Sequence, residues 1–120
     1  MKDYNLIAHI YESRWDSRLL TGIISNMKLS VIIPAYNEEK TIEAIVERVK
    51  ATNLPHEIVI VDDGSVDNTR AILDHLSQDE MVRVIFHDRN LGKGAAVVTG
   101  IRNASGDVLL IQDADLEYDP

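Results

Sequence analysis

From Leu29 onward, apolar runs alternate with amphipathic stretches in a steady rhythm. LSVIIPAY is rich in β-branched residues and predicts a strand, and Pro34 is expected to end it because proline cannot continue a central ladder. NEEKTIEAIVERVKATN follows, with Ile42, Ile45, Val46 and Val49 at the i, i+3, i+4, i+7 spacing of one helix face. Asn37 is the expected N-cap there, with Glu38 and Glu39 where the helix dipole favours acids. EIVIV predicts a second strand, and DDGSVDNT breaks it. Asp67 or Asn68 caps the next helix, whose expected buried face is Thr69, Ile72, Leu73 and Leu76. VRVIF is the third strand, NLGKGAAVVTGIRNAS a loop and a helix ended by Gly106, and DVLLI the fourth strand.

The strands are nearly continuous apolar runs, so both of their faces are expected to be buried. Strand and helix alternate throughout, which predicts an α/β fold: a mostly parallel sheet covered by helices. Ligands of such sheets bind at the carboxyl ends of the strands, where the polar clusters after strands one, two and four are expected to meet. Residues 1–28 stand apart from this rhythm as an N-terminal extension. Tyr4, Ile7, Tyr11, Trp15, Leu19 and Ile23 have amphipathic-helix spacing, but a flexible tail or a start at Met27 accounts for the extension slightly better.

Twelve Lys plus Arg against twenty Asp plus Glu give 120 residues a net charge of −8, which sets nucleic acid aside as a partner. A nucleotide is still compatible, because a metal ion can bridge acidic side chains to phosphates. There is no cysteine, hence neither a disulfide nor a thiolate metal site. Without a secretory signal or an apolar run of the ~20 residues that cross a bilayer, the expected location is the cytoplasm.

The acids after the fourth strand are the first chemical candidates. Asp113, Asp115 and Glu117 alternate, and in extended chain they present their carboxylates to one side. Such oxygen ligands suit magnesium or manganese, which stabilise the charge of a departing diphosphate; a plain polar strand exit explains the same residues. Asp62-Asp63-Gly64-Ser65 is either a strand-to-helix turn or a carboxylate that holds a base or ribose. In Pro34-Ala35-Tyr36-Asn37-Glu38, Tyr36 and Glu38 could line a pocket for a nucleobase, against a capped strand end as the plainer account. Asn90-Leu91-Gly92-Lys93-Gly94 permits close approach of a phosphate, but it lacks both the Walker spacing and a dinucleotide fingerprint. His9, His56, His75 and His87 share no metal spacing and read as surface or satisfied residues.

Taken together, VIIPAYNEE, EIVIVDDGSVDNT, NLGKGAAVVTGI and GDVLLIQDADLEYDP, in that order, resemble the family 2 glycosyltransferases with the GT-A fold. Within them the chain looks most like the dolichyl-phosphate mannose synthase group and its bacterial polyprenyl-phosphate hexosyltransferase relatives. The resemblance covers residues 29–120 and implies the nucleotide-binding half of a Rossmann-like GT-A domain with helices on both faces. It implies inverting transfer of a hexose from a UDP- or GDP-sugar, with Mg2+ or Mn2+, to a polyprenyl phosphate at a membrane surface. On this chain, Pro34, Ala35, Tyr36 and Glu38 match the first nucleotide-binding segment, Val61 and Asp63 the residues that hold the base, and Lys93 a lysine near the nucleotide. Asp113, Ala114 and Asp115 match the Asp-x-Asp element. Glu117, where the group often has Gln, completes the implied metal set of Asp113, Asp115 and Glu117.

The resemblance also implies that the family's catalytic domain, with the base an alcohol acceptor would need and membrane-associated regions, continues past residue 120. The chain is therefore expected to be an incomplete enzyme, truncated shortly after its metal motif. Two other classes compete: a nucleotide-binding module without catalysis, and a phospho-acceptor signalling domain built on the same acidic residues. The second fits less well, because the acidic pair follows the second strand rather than the first and no lysine follows Asp113.

Overall fold

The computed structural model describes residues 27–114. The helix expected among residues 1–26, and Asp115 and Glu117 of the expected metal set, lie outside the described residues.

Seven elements alternate as the apolar pattern predicts: β1 (Leu29–Ala35), α1 (Ile42–Ala51), β2 (Pro55–Asp62), α2 (Thr69–Leu76), β3 (Val82–Phe86), α3 (Lys93–Asn103) and β4 (Val108–Ile111). The strands form one sheet in the order β3-β2-β1-β4, with every neighbouring pair parallel. The chain builds β1, β2 and β3 outward in one direction and then returns to lay β4 on the far side of β1. The strand order therefore reverses between β1 and β4, which opens a crevice at the carboxyl ends of those two strands.

Over β1, most of β2 and β4 both faces of the sheet are buried, as the unbroken apolar runs require, while the edge strand β3 is only partly covered. Val31 and Ile33 of β1, Ile58 and Ile60 of β2 and Leu110 of β4 pack against Ile42, Ile45, Val46 and Val49 of α1 and Leu73 and Leu76 of α2. The alternate residues Ile32, Val59, Val61 and Leu109 face Ala96 of α3 and its C-terminal neighbour Ala104. Each fully buried Ile, Val or Leu contributes about 1.5–3 kcal/mol relative to exposure, so this two-sided core is the main source of stability.

Several local expectations need correction. β1 runs through Pro34, which pairs in register with Val61. The backbone carbonyl of Ile32 accepts from Gln112, so residues 32 and 34 both face β4, and β4 pairing stops at Ile111. The N–H that Pro34 lacks falls beyond the end of the ladder, and the strand loses nothing by its absence. Asn37 is not the N-cap of α1; that position is Thr41, and Asn37 adopts a φ of 53°. Its side chain instead accepts from the Val66 amide at 2.9 Å, in the loop after β2. In α2, Asn68 holds the cap position while the Asp67 carboxylate accepts from the Thr69 amide at 2.8 Å, and Ile72 is only half-buried. α3 ends at Asn103, ahead of Gly106, because Ala104 is already extended.

α3 can lie close to β1 because residue 100 is glycine. A Cβ there would stand 2.4 Å from Ile32 Cγ2, inside the buried core. Gly100→Ala gains about 1 kcal/mol of helix propensity but forces Ile32 or the whole helix to move. The expected result is a net loss of about 1–2 kcal/mol, read as a lower urea midpoint with an unchanged slope.

Candidate functional site

Four segments converge at the carboxyl edge of the sheet around a cavity of about 440 Å3, within the ~300–1,000 Å3 usual for small-molecule sites. The exit of β1 contributes Pro34, Ala35, Tyr36 and Glu38, and the exit of β2 contributes Asp63. Asn90, Gly92, Lys93 and Ala96 come from the loop before α3 and its first turns, and Asp113 and Ala114 from the exit of β4. Of the expected binding residues in the described part, all but Val61 line it. Val61 is fully buried beside Ala96 in the core beneath α3, so it backs the cavity wall rather than forming it.

The adjacent acids at the end of β2 point to different surroundings, as neighbours in extended chain must. Asp62 is sealed in the interior, where one carboxylate oxygen accepts from the Ser65 amide at 3.1 Å and lies 3.9 Å from Arg70 Nε; its Oδ1 has no partner. Asp63 turns toward the loop before α3. Its Oδ1 lies 2.8 Å from His87 Nδ1 and accepts from the Leu91 amide at 2.9 Å, while Oδ2 accepts from the Gly92 amide at 2.9 Å. Burial pushes the Asp63 carboxyl up, but the bonds from His87 and from the Leu91 and Gly92 amides outweigh it and hold the group below its ordinary 3.8.

Gly64 makes this close docking sterically feasible. It adopts a φ of +79°, and a Cβ there would stand 2.5 Å from backbone atoms of Arg89 and Asn90. The loop is thus drawn onto the end of β2 by Asp63 and admitted by the missing side chain of its neighbour. Gly92 itself has a φ of 102° at the cap of α3, and Gly94 faces open space, which leaves the backbone of the first turn approachable.

The exits of β1 and β2 are laced together. The amide of Asn37 donates to Ser65 Oγ at 2.8 Å, that of Glu38 to Thr69 Oγ1 at 2.9 Å and that of Glu39 to the Asp67 carboxylate at 3.4 Å. On the other side of the cavity, the ammonium of Lys93 donates to Asp113 Oδ1. Both side chains are well exposed, at 52% and 40%. The Ala114 carbonyl accepts from Thr41 Oγ1 at 2.6 Å, which fastens the exit of β4 to the start of α1.

Asn90 and Gly92, expected only as part of a loop that permits approach of a phosphate, line the cavity; the sequence carries no sign of Ala96 as a lining residue or of His87 as the partner of Asp63. His56 and His75 are exposed as expected. His87 directly follows β3, and β3 pairs Phe86 with Asp62, so the register puts His87 beside Asp63; strand order was the signal that could have found it. Among the described residues, no cluster of His, Asp or Glu is large enough to hold a metal on its own, and no helix is long and apolar enough to cross a membrane.

A cavity at the strand-order reversal of a parallel sheet, rimmed by acids and the start of a helix, is the place where open α/β sheets bind their ligands. The family model for glycosyl transferase family 2 matches residues 30–120, and the chain belongs to that family. This sets aside the phospho-acceptor alternative. A dolichol-phosphate mannosyltransferase of Pyrococcus furiosus is 43% identical over 96 residues, which are 78% of this chain and 27% of that protein. A mannosyltransferase of Pyrobaculum calidifontis in complex with GDP-Man and Mn2+ superposes with a TM-score of 0.69 at 29% identity, over 74% of this chain and 28% of that one. Glucosyl-3-phosphoglycerate synthase of Mycobacterium tuberculosis, in complex with Mn2+, UDP and glucosyl-3-phosphoglycerate, gives 0.68 at 27% identity, over 86% and 39%. The fold is that of the GT-A glycosyltransferases. The chain spans well under half the length of each of these relatives.

The lowered pKa of Asp63 links the site to acid stability. A carboxylate whose folded value lies below its unfolded value adds stability above the unfolded value and loses it as pH falls through the folded one. The stability advantage of the wild type over Asp63→Asn is therefore expected to be full at pH 6 and to shrink steadily below about 3.8. Urea midpoints of the two proteins, measured from pH 6 to pH 3, check the sign.

Proposed function

We propose that this chain is the nucleotide-sugar half of an inverting hexosyltransferase that moves a hexose from a UDP- or GDP-sugar to a polyprenyl-type lipid phosphate at a membrane surface. The observation that carries the reading is a cavity that gathers Tyr36, Glu38, Asp63, Lys93 and Asp113 from four separate segments. The names of the relatives supply the ligand classes: a dolichol phosphate, GDP-Man and UDP.

In this reading the base and ribose lie between Tyr36 and Asp63, and the diphosphate lies toward Lys93 and the start of α3. The ammonium and the N-terminal end of the helix both favour negative charge there. Asp113 already holds one cation, the ammonium of Lys93, so its carboxylate suits a divalent ion such as Mg2+ or Mn2+. Asp115 and Glu117 would complete that ion's ligands. When bound, the ion supplies Lewis-acid stabilisation of charge on the leaving diphosphate. An oxygen of the acceptor phosphate attacks the anomeric carbon from the opposite face, and the bond to the diphosphate breaks with its electron pair. The acceptor is already an anion, so the step needs no base from the residues around this cavity.

Isothermal titration of UDP and GDP into the folded chain tests the reading. One of the two nucleotides is expected to bind in the presence of Mn2+, and about tenfold more weakly, ~1.4 kcal/mol, once the metal is chelated. Asp113→Asn should reproduce the weakening with Mn2+ present. A chain that is folded by circular dichroism and binds neither nucleotide with Mn2+ would overturn the proposal.

A further inference from the structure

We infer that His87 is a positioning residue for nucleotide binding: by fixing the Asp63 carboxylate, it holds in place the loop before α3, whose Asn90 and Gly92 line the cavity. The inference rests on the nucleotide reading above and assigns a role to a residue outside the cavity itself.

His87 is held at both ring nitrogens. Nδ1 lies 2.8 Å from Asp63 Oδ1, and Nε2 lies 2.8 Å from Thr99 Oγ1 on α3. The two acidic and basic side chains are almost sealed from water, at 9% exposure for His87 and 4% for Asp63. A carboxylate only accepts, so Nδ1 must carry the proton in this pair. Thr99 then meets Nε2 as donor in the neutral tautomer or as acceptor from the imidazolium, and in either case anchors the far end of the ring to α3. The imidazole therefore acts as a strut between the exit of β2 and the flank of α3.

The carboxylate it braces has about four acceptor positions. Three are taken by His87 and by the amides of Leu91 and Gly92, which leaves one for a donor on the ligand. Leu91 lies between the lining residues Asn90 and Gly92, and Gly92 caps α3, so a carboxylate free to rotate would release this stretch of wall and mis-aim the remaining acceptor together. Water cannot substitute easily at so buried a pair.

The test separates the two ring nitrogens. An Asn side chain can place its amide nitrogen near the position of Nδ1, and a Gln near that of Nε2. In the full 120-residue chain with Mn2+, His87→Asn is expected to keep the affinity for UDP or GDP within about threefold, and His87→Gln to lose about tenfold. Amide hydrogen exchange at Leu91 and Gly92 should accelerate about tenfold in His87→Gln and stay near wild type in His87→Asn. Thr99→Val keeps the side-chain shape, removes the anchor on Nε2 and should weaken binding about threefold, with a lower urea midpoint because the ring nitrogen loses its partner. Two results would overturn the proposal: His87→Gln with wild-type affinity and wild-type exchange at Leu91 and Gly92, or Asn and Gln variants that lose affinity equally and only in step with their thermal midpoints. If the wild type binds neither nucleotide, the functional reading fails on its own, and the exchange contrast between Asn and Gln still decides the role of His87.

Discussion

A carboxylate taken out of water must be answered by donors, and the site is arranged around that requirement at Asp63. Its donors come from the residue after β3 and from two successive backbone amides before α3. Meeting the needs of one side chain therefore fixes the path of the connection that carries the chain over the top of the sheet. Asp62, one residue earlier and also buried, has one local amide, a distant guanidinium and an unpartnered oxygen. Adjacent acids of the same type thus have opposite standing: one organises its surroundings, and the other is tolerated by them.

The sheet was legible because its strands are short β-branched runs that cannot sit as amphipathic helices, and because strand and helix alternate without exception. The buried face of α1 was legible from its spacing for the same reason. What the chain conceals is whatever depends on a neighbour. Pro34 looks like a strand end until β4 is known to stop short of it. Asn37 looks like a helix cap until the loop after β2 is known to lie beside it and take its side chain.

The candidate site divides along the same line. Clusters such as Asp62-Asp63-Gly64 and Asp113-Ala114-Asp115 announce themselves in one dimension, and the parallel sheet predicts that they share an edge. The resemblance to the family, rather than any local pattern, favoured Asp63 over Asp62 and named Val61, which the fold keeps in the core behind the cavity. His87 carried no local signal. It became identifiable only through the register of β2 against β3, which is a property of pairing and not of composition.

The two sides of the cavity differ in how much freedom they retain. On one side, backbone amides of Asn37, Glu38 and Glu39 are tied to side chains of the neighbouring loop, and Asp63 clasps the third segment. Ligand groups that settle there meet a surface already in its final shape, so little chain entropy remains to be lost on binding. On the other side, Lys93 and Asp113 meet through exposed, rotatable side chains. That half keeps rotamer freedom which any bound group would have to remove, so ordering it costs side-chain entropy that the other half has already lost in folding.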